Sequence, residues 1–203
     1  MSETVRDEII LASSSQSRKN LLKNAGVSFE PISPNVDEDE VKYSMQSAGV
    51  SAADTAVSLA ELKAMRISRD FPNHFVVGAD QMLECGDLWF DKPADMEHAR
   101  AHLMALRGKT HSLHNAVCVV KAGQVIWHYK NEARLEMRPF SEEFLDMYLA
   151  EAGEEILWSV GAYQLEGLGA QLFYKVDGDF FSILGLPLLP LLDFLRGHKV
   201  VMP

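Results

Sequence analysis

This chain has little cysteine and no excess of positive charge. Its 203 residues hold two cysteines, Cys85 and Cys118, far apart and each beside apolar neighbours. With no CxxC and no Cys/His cluster, a zinc site has no support, and the pair reads as two buried thiols of a reducing compartment. Lys plus Arg number 19 against 29 Asp plus Glu, a formal charge of -10. That balance speaks against DNA or RNA polymers and anionic membranes as partners, since both need a basic surface. It leaves room for a small nucleotide at a local positive site. No long apolar run occurs: the most apolar stretch, residues 184–195, is broken by Pro187 and Pro190 and is too short to span a bilayer. Glu3, Asp7 and Glu8, with no apolar core beside them, do not read as a signal peptide. A cytoplasmic, soluble protein is expected. The Walker pattern GxxxxGK[ST], the GxGxxG fingerprint and the GxSxG elbow are all missing, and the seven histidines follow no ligand spacing.

What is present reads as interleaved strands and helices. Residues 8–12 form a short apolar strand, and Ser13-Ser14-Ser15-Gln16-Ser17-Arg18-Lys19 opens a helix carrying Leu21, Leu22 and Ala25 that stops at Gly26. Residues 27–32 read as a second strand, followed by the acidic loop Asp37-Glu38-Asp39-Glu40. Ser51 and Asp54 suggest a capping box for a helix with Leu59, Ala60 and Ile67, closed by Pro72. Residues 75–80 are a buried strand ending in Asp80, and residues 88–90 a short strand before Asp91-Lys92-Pro93. Asp95 starts a helix with Ala99, Leu103 and Leu106 that Gly108 ends. Strands at 115–120 and 125–129 flank a turn, with another at 133–137. Ser141 caps a helix running to Gly153, residues 171–176 read as a strand, and a last helix follows Gly185-Leu186-Pro187. A hairpin amid alternating elements predicts α/β architecture with a mixed central sheet flanked by helices, as one domain over residues 1–203.

Several polar residues sit where a core does not need them. A strand end crowded with hydroxyls, opening into a helix with Arg18 and Lys19, is a cradle for phosphate; the alternative is that Ser15 simply caps the helix. Asp80 at a strand's end is placed to bind a hard cation or to accept a proton from water, or else is a turn aspartate. Glu38 belongs to a charge run that solvent would explain, unless it converges with Asp80 into a site of oxygen ligands. Lys92 suits a phosphate clamp or simple exposure, and surface solvation would account equally for Lys63. The glycine-rich stretch from Gly161 to Gly169, with Tyr163, Gln164 and Glu166, suits recognition of a planar base or is a surface loop.

In order along the chain, these segments resemble the Maf family, also called septum-formation inhibitor proteins, which are nucleoside triphosphate pyrophosphatases. The matching segments are Leu11-Ala12-Ser13-Ser14-Ser15-Gln16-Ser17-Arg18, Val36-Asp37-Glu38, Leu59-Ala60-Glu61-Leu62-Lys63-Ala64, Gly78-Ala79-Asp80, Asp91-Lys92-Pro93, Gly161-Ala162-Tyr163 and Gly185-Leu186-Pro187-Leu188. The resemblance implies two lobes around a nucleotide-binding cleft, in the Maf/ITPase-like manner, and a homodimer. It implies hydrolysis of the α–β phosphoanhydride bond with Mg²⁺ or Mn²⁺ held by Glu38 and Asp80. Arg18, Lys63 and Lys92 would neutralise phosphate, with Ser13 and Ser15 donating hydrogen bonds. Catalysis would fall to Asp80, Glu38, Lys92 and Arg18. Gln81 and Glu166 resemble the branch acting on 7-methyl-GTP, in contrast to the dTTP/UTP branch; Ser17, where that branch often carries Trp, and Lys19, where Arg is common, depart from its pattern. The rival readings are a nucleotide-sensing regulator of cell division and a sheet-based interaction module without a small ligand.

Overall fold

The apolar triplet Ile9–Leu11 forms strand β1, buried throughout. The computed structural model describes residues 9–202, so Glu3, Asp7 and Glu8 lie outside the described residues. Helix α1 follows over Gln16–Asn24, and Gly26, at a left-handed φ of 73°, ends it as expected. Of the strand expected over 27–32, only Glu30–Pro31 pairs, as β2. The Val27 N–H is taken by the Leu22 carbonyl at the end of α1, and Pro31 has no N–H to give a ladder. The acidic loop is also corrected: Glu38–Ser47 is a helix, α2, capped by the Asp37 carboxylate, which accepts from the Glu40 N–H at 3.1 Å. Glu38, Asp39 and Glu40 stand in its first turn, where the helix dipole favours acids.

Helix α3, Ala52–Ser68, starts at Ser51 as read, with the Ser51 hydroxyl accepting from the Asp54 N–H and donating to the Asp54 carboxylate. Strand β3 runs over Phe75–Cys85, well past Asp80, so the aspartate lies inside a strand and not at its end. Pairing with β1 nevertheless stops at Val77, opposite Leu11, and pairing with β4 (Leu88–Phe90) starts at Leu83. Asp80 is therefore beyond the carboxyl end of its parallel neighbour, the position where open α/β sheets place ligands. Helix α4 is Met96–Leu106, capped by Asp95. Strands β5, Thr110–Lys121, and β6, Gln124–Met137, meet at Ala122 and Gly123, both at positive φ. The two strands expected at 125–129 and 133–137 are thus one. The polar stretch between them stays extended, with Lys130 on Asp54 and Glu132 accepting from the Ser112 hydroxyl.

Helix α5 covers Glu142–Ala152 from its Ser141 cap. Three short 3-10 turns, Gly153–Trp158, Val160–Ala162 and Leu168–Leu172, lead to β7, Phe173–Asp177. Helices α6, Phe180–Ile183, and α7, Leu188–Gly197, complete the chain. The seven-stranded sheet has the order β2-β1-β3-β5-β6-β7, with β4 on β3. It is mixed, as expected: β1 is parallel to β2 and β3, whereas β3–β4 and β6–β7 are antiparallel.

The chain groups into two compact units, Met1–Gln81 with Asn115–Asn131 and Gly185–Pro203, and Met82–His114 with Glu132–Leu184. Ile10, Leu11, Leu22, Leu59, Val76, Val119 and Leu191 are buried in the first; Leu83, Leu103, Leu113, Leu135 and Tyr148 centre the core of the second. Both cysteines are free thiols, and only Cys118 is fully buried; Cys85 is half-buried. Among the described residues no helix is long and apolar enough to cross a membrane.

Candidate active site

Strand β1 leads directly into the site, since the chain leaves the sheet through Ala12 and Ser13 to enter α1. The Ser15 hydroxyl accepts from the Arg18 N–H at 3.4 Å, the capping role expected of it. Ser13 Oγ accepts from the Ser15 N–H at 3.2 Å and from Arg18 Nη1 at 3.4 Å. Those two bonds use both lone pairs of the Ser13 hydroxyl, so its proton is the group left to donate. Arg18 points inward from the first turn of α1, and its Nε donates to the Gly185 carbonyl at 2.7 Å. Gly185 has φ 104°, a conformation closed to L side chains, which is what brings that carbonyl to the guanidinium. Lys19, on a different face of α1, lines a surface groove of about 340 Å³ with Gln16, Asn20, Lys23 and Phe29.

Helix α3 supplies Lys63. Its buried face repeats at three- and four-residue spacing through Ala52, Ala56, Leu59, Ala60, Lys63, Ala64 and Ile67. The small residues let the helix lie against β3 at Gly78, where an added Cβ would stand 2.1 Å from the Ala60 carbonyl oxygen and 2.9 Å from Ala64 Cβ. Lys63 is consequently buried, not solvated. Its ammonium donates to Asp80 Oδ1 at 2.6 Å and pairs with Glu38 Oε1 at 2.8 Å. The side chains of Lys63 and Asp80 are 4% and 5% exposed, and that of Glu38 is 40% exposed. Two carboxylates on one ammonium compensate its burial. Glu38 and Asp80, 42 residues apart in sequence, do converge, through Lys63.

Asp80 Oδ2 is buried without a hydrogen-bond partner. Leaving a buried carboxylate oxygen unpaired is unfavourable, so this atom is poised to take a ligand. Burial lowers the Arg18 pKa from its ordinary value, with Asp80 and then Glu38 opposing. Burial also works against the Glu38 carboxylate, yet Lys63, with Lys42 and Arg18 behind it, outweighs that and holds its pKa below the usual carboxylate range. Two carboxylates, one with a free buried oxygen, are hard donors that fit Mg²⁺ or Mn²⁺, ions that keep coordination positions for phosphate and water. Among the described residues no three His, Cys, Asp or Glu gather within reach of one ion.

Ser13, Ser15, Arg18, Glu38, Lys63, Asp80 and Gln81 all belong to the first unit, and Lys92 and Glu166 to the second. Gln81 donates through Nε2 to Asn115 Oδ1 at 2.8 Å, and Asn115 is buried. Lys92 is exposed between β4 and α4, and Glu166 is exposed in the turn that follows Gln164. Sequence reasoning missed Asn115 and the Gly185 carbonyl. The signal for the first was an amide opening an otherwise apolar strand; the second carried none, because any residue has a carbonyl.

Residues 8–198 match the family described as Maf-like protein. This chain belongs to that family. Similar proteins include the "Nucleoside triphosphate pyrophosphatase" of Paramagnetospirillum magneticum, 55% identical over 96% of this chain and 100% of that protein. The protein of the same name from Granulibacter bethesdensis is 53% identical over 96% and 98%. The "7-methyl-GTP pyrophosphatase" of Rhizobium johnstonii is 49% identical over 93% and 95%. Within this Maf-like chain, the family segments quoted from Arg18, Glu38, Lys63, Asp80 and Gly185 meet in one polar cluster, buried except at Glu38.

Proposed function

We propose that this Maf-like chain hydrolyses nucleoside triphosphates to the monophosphate and pyrophosphate, acting in the cytoplasm. Water adds across the α–β anhydride: its oxygen bonds to phosphorus, the bridging P–O bond breaks, and the water proton is released. The observation that carries this reading is the buried, unpartnered Asp80 Oδ2 beside Lys63 and Arg18. Relatives over 50% identical along nearly their whole length, named as nucleoside triphosphate pyrophosphatases, support it.

Arg18 and Lys63 supply charge to the phosphates, with Lys92 as a further clamp, and Ser13 and Ser15 turn hydroxyl protons toward phosphate oxygens. Arg18 and Lys63 are balanced by Glu38 and Asp80, so the cluster has no formal surplus of positive charge for a triphosphate. A divalent ion held by Glu38 and Asp80 would bring that surplus and polarise the phosphoryl oxygens. Asp80 Oδ2 serves as the ion's ligand or as acceptor of the water proton. The substrate we propose is 7-methyl-GTP: Glu166 can accept from the N–H edge of guanine and offset the charge of an N7-methylated ring, and Gln81 is proposed as a further substrate-binding residue.

Pyrophosphate release with and without Mg²⁺, across 7-methyl-GTP, GTP, UTP and dTTP, tests the reading on wild type and D80N. D80N keeps size and polarity but loses the charge, so turnover falls by roughly 10² to 10³ while the fold survives. Near-full kcat in D80N under saturating metal removes Asp80 from both roles. Tight binding with no turnover under any metal favours the nucleotide-sensing regulator instead.

A further inference from the structure

The turn that precedes Glu166 is strained and is held from below by buried hydroxyls. Gly161 and Ala162 both adopt left-handed backbone, at φ 76° and 60°. Such conformations in a residue with a Cβ persist only where the surroundings over-determine them, and Ala162 is fully buried. Gly161 has no room for a Cβ, which would lie 2.6 Å from Leu83 Cδ1 and 2.8 Å from Tyr163 Cε1. From α5, the buried Tyr148 hydroxyl donates to the Ala162 carbonyl at 3.1 Å and its own oxygen accepts from the Gln164 N–H. From β5, His111 Nε2 is 2.8 Å from the Tyr163 hydroxyl, and the Tyr163 ring packs edge-on against Phe173. Burial keeps this hardware uncharged near neutral pH: it pushes His111 down to about 4 and both tyrosines up.

The far side of the loop is closed as well. A Cβ on Gly169 would stand 2.4 Å from the Gln164 carbonyl oxygen, and the Gly167 N–H donates to that same carbonyl at 3.2 Å. Gln164 is therefore the neck of a closed loop, with Tyr148 on one side of it, Gly169 on the other and Glu166 exposed at the tip. A connection of this length has many relaxed paths. One strained path, fixed by two buried polar anchors, is the arrangement that holds a recognition group in a single orientation.

We infer that Tyr148 and His111 are positioning residues that hold the Glu166 loop in its base-reading orientation, and so set base selectivity without touching substrate. This rests on Glu166 reading the base. The test is the ratio of kcat/KM for 7-methyl-GTP over UTP in wild type, Y148F, H111Q, E166Q and the double variant Y148F/E166Q, each corrected for folded fraction from its melting curve. E166Q lowers the ratio roughly tenfold to a few hundredfold, and Y148F and H111Q lower it by about tenfold while kcat on UTP stays within about twofold. In the double variant Y148F adds nothing to E166Q, because both act on one group. A ratio that moves in E166Q but not in Y148F or H111Q, or that falls additively in the double variant, overturns the positioning role and leaves the base reading standing. A ratio unmoved in E166Q overturns both.

Discussion

Replacing Gly78 with alanine places one methyl group at the junction on which the cluster depends. The new Cβ would lie 2.1 Å from the Ala60 carbonyl oxygen and 2.9 Å from Ala64 Cβ. Carbon–oxygen contacts of this kind settle near 3.3–3.6 Å, so α3 must retreat from β3 by about 1.2 Å. Neither obstacle is the mobile end of a side chain: one is helix backbone and the other a Cβ fixed to it. Overpacking of this sort costs about 1–3 kcal/mol and occasionally more, which lowers Tm by roughly 2–12 °C in a chain of this size. The retreat also carries Lys63 away from Asp80, now 2.6 Å from it. Misplacing a reacting group by about 1 Å can remove two orders of magnitude in rate, so pyrophosphate release by folded G78A falls by about 10²-fold. Melting curves and single-turnover assays on the same preparation separate the two effects. G197A is the control: apart from its chain neighbours and its own helix backbone, no atom lies within 4 Å of a Cβ there, and its Tm and rate stay near wild type. A G78A protein with wild-type Tm and full turnover refutes the claim that close helix–strand contact places Lys63.

Arg18 contacts groups common to every triphosphate in the proposed reaction, so R18A lowers kcat/KM for each accepted nucleotide by a similar factor, about 10²-fold. A loss confined to one base takes Arg18 out of the phosphate role. His111 predicts a pH dependence of stability. Its pKa falls from 6.5 to about 4 on folding, so between those values the unfolded chain binds the additional proton. This contribution is complete above pH 6.5 and is lost as pH falls toward 4, by up to about 1.4 kcal/mol per pH unit. In urea titrations the stability advantage of wild type over H111Q therefore shrinks on acidification through that window. An advantage that does not change with pH refutes a buried neutral His111.

The sequence by itself determined the features that arise within a few residues of one another. Ser51, Asp95 and Ser141 cap α3, α4 and α5 as read, because a cap is a bond between a side chain and an N–H three residues on. The mixed α/β class followed from hydrophobic periodicity and from turn glycines, which are equally local. The acidic run at 37–40 failed at this same level: it reads as solvated loop, but it is the cap and first turn of α2, where the helix dipole rewards such acids.

The state of the charged groups needed the tertiary structure. Lys63 and Asp80 are 17 positions apart and Arg18 and Gly185 are 167 apart, so no local pattern distinguishes a solvated lysine from one buried between two carboxylates. That choice was made by Gly78 and the alanines of α3, whose small size lets the helix settle onto β3. Asp80 reads as a strand terminus because it directly follows the apolar run 75–79; β3 continues through it, with the Lys63 ammonium compensating its charge there. The unpaired Oδ2 was likewise invisible in the chain, since only a complete set of neighbours can leave one buried atom without a partner.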